Sequence, residues 1–233
     1  MLLFPVAVDV PMQRYPIANW VIMAVTTLYS VSLFHGSDPP WIPAGYWKLD
    51  PMFGKELFLS MFAHADYVHL IGNMIFLWVF GNAVNAKLGN TLYVAFYLAC
   101  GIVAGIAWKL MGSGEVSIGA SGAIMGAVGA HLVFFPTNTV SVFYWIFFRA
   151  GTFSVSSLIV VSIYVLLDVL GFMNDSSGTA HIAHLGGFAL GFAAILALVL
   201  AGRFSPTRYE KNLPQVMGMH KYDSRPMPIG FRD

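Results

Sequence analysis

Six stretches of this chain stay apolar long enough to cross a lipid bilayer, each closed off by polar or glycine-rich residues. A spanning helix needs about 20 mostly apolar residues. The pattern predicts spans over roughly Ile17–Phe34, Asp66–Val84, Thr91–Met111, Ser117–Phe135, Phe153–Met173 and Ala180–Ala201. Backbone polar groups must be satisfied within lipid, so helices are the expected form, and no strand alternation suggests a barrel. The second and fourth stretches score weakest, because they carry His69, Asn73, Ser121 and many glycines. The expected fold is an all-α membrane protein with three parts. Residues 1–16 form an N-terminal segment, 17–201 a six-helix membrane domain, and 202–233 a polar, mostly irregular tail.

Composition agrees. Of 233 residues, 58% are hydrophobic and 10% charged, whereas a soluble globular domain carries about 25% charged residues. A net charge of +1 argues against nucleic acid as a partner. The single cysteine, Cys100, lies in an apolar run and reads as a small buried hydrophobe. No cleavable signal is expected, because Pro5, Asp9 and Pro11 interrupt the short apolar start.

Lysine and arginine set the orientation. Six spans put both termini on one side, with Arg14, Lys87, Arg149, Arg203, Arg208, Lys211, Lys221, Arg225 and Arg232. The other side holds Lys48, Lys55 and Lys109. The termini are therefore expected in the cytoplasm. Residues 36–65 form a long outer loop rich in Pro39, Trp41, Tyr46, Trp47 and Phe53, and its aromatic residues suit the headgroup region. The apolar stretch Val140–Phe148 is too short to span and is expected to rest at the opposite interface.

With that orientation, spans two, four and six all begin on the outer face. His69 and Asn73 open the second, Ser121 the fourth and His184 the sixth. At about 1.5 Å rise per residue, Ser121 and His184 lie roughly 5 Å in from their helix starts. Chance would scatter such residues over both faces. Polar side chains in a membrane are costly, so their agreement in depth points to function.

The chemistry that fits is acyl transfer. A serine hydroxyl is a poor nucleophile until a base takes its proton, and a neutral His184 imidazole supplies that base. The tetrahedral oxyanion needs fixed donors. Asn73 NH₂, a His69 N–H and the Ser121 backbone N–H are the candidates. Gly119 and Gly122 would let substrate backbone approach the serine. Pairs at four-residue spacing, Gly101/Gly105, Gly122/Gly126 and Gly187/Gly191, suit close helix contact. Asp168, late in the fifth stretch, is expected to cap a backbone or face water. His64 reads as a structural loop histidine with a possible place at the site's rim. His35, His131 and His220 carry no specific signal.

At these residues the chain resembles the rhomboid intramembrane serine proteases. Gly119-Ala120-Ser121-Gly122 is similar to the family's G-x-S-G motif. The stretch from Ala183 through His184, Gly187 and Gly191 is similar to its A-H-x-x-G-x-x-x-G motif, and His69 with Asn73 to its H-x-x-x-N. The resemblance covers about residues 15–201. It implies a Ser121–His184 dyad without an acidic third member, oxyanion roles for His69 and Asn73, and no cofactor or metal. It also implies cleavage of single-span membrane proteins near the outer end of their transmembrane segment. Two departures stand out. Lys55-Glu56 stands near where some members carry Trp-Arg, and Met125 stands where some place a tyrosine under the histidine. Short loops favour a bacterial inner membrane. Two other readings compete. One is a metal-binding membrane protein using His64, His69, His181 and His184, although no H-E-x-x-H supports it. The other is a non-catalytic chaperone for membrane helices.

Overall fold

A computed structural model describes residues 2–36, 55–112, 117–174, 179–207 and 209–219. Most of the aromatic outer loop, with Trp41 and Trp47, lies outside the described residues. So do His220, Lys221, Arg225, Arg232 and the side chains of Lys55 and Glu56.

The helices follow the hydropathy closely. They are α1 (Ile17–Phe34), α2 (Lys55–Ser60), α3 (Tyr67–Phe76), α4 (Asn82–Leu88), α5 (Asn90–Met111), α6 (Ser121–Phe134), α7 (Ser157–Asn174), α8 (His181–Leu200) and the short α9 (Leu213–Val216). A π turn, Leu77–Gly81, joins α3 to α4, so Tyr67–Leu88 forms one continuous rod. Among the described residues, five rods are long and apolar enough to cross a membrane, while α6 is shorter. The chain is thus a multi-pass, mostly helical membrane protein.

α6 is short because it lies at the centre. Nearly every residue from Gly122 to Phe134 is buried, so its all-round apolar character meets protein and not lipid. Its most extensive partner is α8. The glycines make that contact possible. A Cβ on Gly187 would strike the carbonyl of Gly122, and one on Gly191 the carbonyl of Gly126. The predicted close contact of these two pairs is therefore present, backbone against backbone.

The π turn has a visible partner. Asn19 of α1 donates from Nδ2 to the Leu77 carbonyl at 2.9 Å and to Asn82 Oδ1 at 2.8 Å. Tyr93 OH donates to Asn19 Oδ1 at 2.6 Å. A side chain inserted beside the helical ladder is a known cause of such irregularity. A Cβ on Gly81 would lie 2.5 Å from Asn19 Oδ1, so the insertion requires glycine there.

The all-helical expectation needs correction. Leu2–Val8 (β1), Thr139–Ile146 (β2) and Arg149–Ser156 (β3) form an antiparallel sheet in the order β1-β2-β3. Phe153 therefore belongs to a strand, and the fifth apolar helix begins at Ser157. Thr152, Ser154 and Ser156 alternate with Phe153 and Val155, which is the period of two that a strand requires. The β2–β3 turn consists of Phe147 and Phe148, which are 88% and 102% exposed, with Phe147 at φ 52°.

The tail is more ordered than expected close to the bundle. Lys87, at the end of α4, pairs with Glu210, and both side chains are almost fully buried. Lys87 Nζ also donates to the Ser205 carbonyl at 3.1 Å. Asn212 and Gln215 form a reciprocal cap on α9.

Candidate active site

Gly119 sets up the serine. Its φ of 123° suits glycine alone, and a side chain there would press to 2.9 Å from the His69 ring. The chain then enters α6 with Ser121 as its first residue. Ser121 therefore sits at the helix start and not one turn inside it as the sequence suggested. A helix start leaves its first N–H groups without intrahelical partners, which suits the expected oxyanion role of the Ser121 backbone. Gly122 serves packing: a Cβ there would meet Ala104 Cβ.

His184 lies in the first turn of α8 and meets the serine directly. Its Nε2 is 2.8 Å from Ser121 Oγ. Its Nδ1 is 2.8 Å from Asp168 Oδ1. An ionised carboxylate only accepts, so Nδ1 carries the proton and Nε2 presents its lone pair to the serine O–H. His181, one turn earlier, reaches the same Asp168 oxygen through its own Nδ1 at 2.8 Å. Asp168 is 7% exposed.

This corrects the expectation for Asp168. It neither caps a helix nor simply faces water; it joins both histidines of α8. A clue was available in the sequence. A short connection makes α7 and α8 neighbours, and Asp168 and His184 then fall at similar distances from it. A lone carboxylate gave no reason to look.

Ser121, His184, His69, Asn73, Met125, Asp168 and His181 line one open cavity of about 860 Å³. Its walls come from α3, the end of α5, α7 and the starts of α6 and α8. Phe76 of α3 meets Tyr164 of α7 edge-on at 5.0 Å, and both line the cavity. Asn73 spends one N–H on the His69 carbonyl at 3.0 Å, and its remaining donor is available to the cavity. Asp66 caps α3 by accepting from the His69 backbone N–H at 2.8 Å.

His64 stands behind the serine loop. Its Nε2 accepts from the Ala120 backbone N–H at 3.4 Å, and its Nδ1 faces Ser30 Oγ at 3.0 Å. Ser30 in turn donates to the Phe62 carbonyl at 2.8 Å. Those contacts need a neutral ring. Burial and the neighbouring His69 hold His64 well below the ordinary histidine value, at about 4. It is the structural histidine the sequence suggested. His131, buried against Ser157 at 3.0 Å, also lies outside the cavity lining.

The metal reading must be redrawn. Among the described residues, Asp168, His181 and His184 bring one ligand atom each within 4.8 Å of one another. His64 and His69 instead pack ring to ring at 4.9 Å. A carboxylate and two imidazoles suit zinc, yet here the Nδ1 of each ring already meets the carboxylate, and His184 Nε2 meets Ser121.

The family description "Rhomboid domain" matches residues 53–201. The chain is 30% identical over 141 residues to the mitochondrial presenilin-associated rhomboid-like protein of Mus musculus, covering 59% of this chain and 36% of that protein. It is 33% identical over 151 residues to rhomboid protease GluP of Bacillus subtilis (strain 168), covering 64% and 27%. RHOMBOID-like protein 6, mitochondrial, of Arabidopsis thaliana is 28% identical over 146 residues, covering 62% and 44%. The match thus spans little more than a third of the mouse relative. All three sequence motifs fall within the matched residues, and the chain belongs to the rhomboid family.

Proposed function

We propose that the chain is an intramembrane serine endopeptidase that cleaves in or near the transmembrane segments of membrane proteins. The observation that carries this reading is the 2.8 Å contact of Ser121 Oγ with His184 Nε2 in an open cavity at one end of the bundle. The protease name of the B. subtilis relative agrees with it.

His184 Nε2 takes the Ser121 proton as Oγ attacks the peptide carbonyl. The tetrahedral oxyanion is met by the α6 start, Asn73 Nδ2 and His69. The imidazolium returns its proton to the leaving amine, and water then repeats the cycle on the acyl-serine. No step calls for a metal or cofactor. A substrate helix must unwind to expose its backbone, so single-span proteins with helix-breaking residues near the scissile bond are the expected substrates.

The same reading fixes a topology. α6 counts as a sixth crossing, both termini are cytoplasmic, and the cavity opens to the outer face. The exposed Trp145-Ile146-Phe147-Phe148 tip then lies at the inner interface, where Arg149 can reach headgroups. The bacterial inner membrane draws no support from the relatives, two of which are named mitochondrial.

The test is cleavage of a single-span substrate in liposomes, paired with labelling by a fluorophosphonate probe. Wild type should cleave and label; Ser121→Ala should do neither. Unchanged cleavage by Ser121→Ala would remove the assignment. The Asp168, His181 and His184 cluster supports a second reading, a zinc site. It requires bound zinc in the purified protein and loss of activity with a chelator.

A further inference from the structure

We propose that Asp168 is a positioning residue of this active site, making it a Ser121–His184–Asp168 triad and not a dyad. The inference rests on the hydrolase reading above and adds a group to it. One oxygen of Asp168 receives both His184 Nδ1 and His181 Nδ1 at 2.8 Å.

Two matched helical turns build the contact. His181 and His184 are one turn apart on α8, so their Nδ1 atoms face α7 together. Asp168 and Gly171 are one turn apart on α7. A Cβ at Gly171 would collide with the His181 ring. The glycine gives His181 its seat, and His181 holds the carboxylate oxygen toward His184.

The carboxylate does two things for the reaction. It fixes the proton on Nδ1, so the lone pair of Nε2 points at the serine. It also faces the positive ring that forms when His184 takes the Ser121 proton. That proton passes from Oγ to Nε2 and on to the leaving amine, and Asp168 stays ionised throughout. A partly buried imidazolium without a counter-charge is costly, and a bundle surrounded by lipid offers little water to replace one. His181 supplies a second donor and takes no proton from the cycle.

The test combines kinetics with a readout that a merely structural role would not move. Histidine labelled with ¹⁵N, in detergent micelles, should show a strongly downfield Nδ1–H proton that His184→Ala removes. Asp168→Ala should remove it too. Asp168→Asn keeps size and folding, monitored by its thermal transition. It should lower kcat by about 10²–10⁴-fold with a much smaller change in KM. Asp168→Glu should recover part of the loss, and His181→Ala should cost less than either. Asp168→Asn within threefold of wild type, with the downfield proton unchanged, overturns the proposal. A downfield proton that appears only after chelation also overturns it, because the cluster would then hold zinc. A wild-type chain that cleaves nothing sinks the hydrolase reading itself. An active wild type with an equally active Asp168→Asn sinks only this inference.

Discussion

The carbonyl of Gly122 occupies the space into which a Cβ on Gly187 would project. Gly122 follows the serine, and Gly187 lies one turn beyond His184. Gly187→Ala must therefore push α6 and α8 apart at the point where the two reactive groups meet. A shift of about 1 Å costs on the order of 10²-fold in rate. We expect at least that loss, read by cleavage in liposomes, with Ser121 and His184 intact. Gly36→Ala, where a Cβ meets nothing within 4 Å but φ is +67°, serves as a stability control remote from the site.

Removal of the reactive groups should be far more severe than removal of a donor. Ser121→Ala and His184→Ala are expected to abolish cleavage. Asn73→Ala should lower kcat by about 10²–10³-fold, the range for one oxyanion donor. Steady-state kinetics on a single-span substrate check the ranking; an Asn73→Ala enzyme as dead as Ser121→Ala would point to a lost fold.

Phe76 and Tyr164 bridge α3 and α7 across one side of the cavity. Such an aromatic pair is worth about 0.5–1.5 kcal/mol beyond its area. If substrate enters between these helices, Phe76→Ala should speed cleavage of a transmembrane substrate two- to tenfold. A soluble peptide that needs no lateral entry should show little change. Equal effects on both substrates would exclude this route.

Acid should loosen the serine loop through His64. Its folded value, about 4, lies below the ordinary histidine value of 6.5. The unfolded chain therefore binds this proton more readily, and stability falls as pH drops. The loss begins near 6.5 and levels off below about 4. Thermal unfolding in detergent should show that slope. His64→Gln should be less stable at neutral pH, since glutamine cannot serve Ser30 and Ala120 in the same way, and its acid slope should be shallower.

The interfacial placement of the hairpin tip is testable as well. With Cys100→Ala as background, a spin label on Phe148→Cys should report contact with lipid-soluble oxygen. Strong broadening by an aqueous nickel complex instead would place the tip in bulk water.

Much of this was legible from single residues read together. Hydropathy located the five long apolar helices because lipid demands long apolar runs. The spacing of Gly119, Ser121, His184 and Gly187 announced two helices that must touch. The β-hairpin was missed because an apolar run such as Val140–Phe148 reads alike in strand and interfacial helix; the alternation at Thr152, Ser154 and Ser156 was its signal. Asn19 and Asn82 were invisible as a pair because each asparagine alone means little. Asp168 was set aside because only the pairing of α7 with α8 gives it partners.

The knot between Lys87 and Glu210 bears on how the protein is handled at the bench. Trimming the chain at Leu200, or fusing a fluorescent reporter there, would strip away Glu210 and strand an ammonium group inside the bundle. Orphaning one half of such a pair costs about 3–5 kcal/mol. A shortened version could then lose its cleaving power through misfolding alone, with every reactive group still in its sequence.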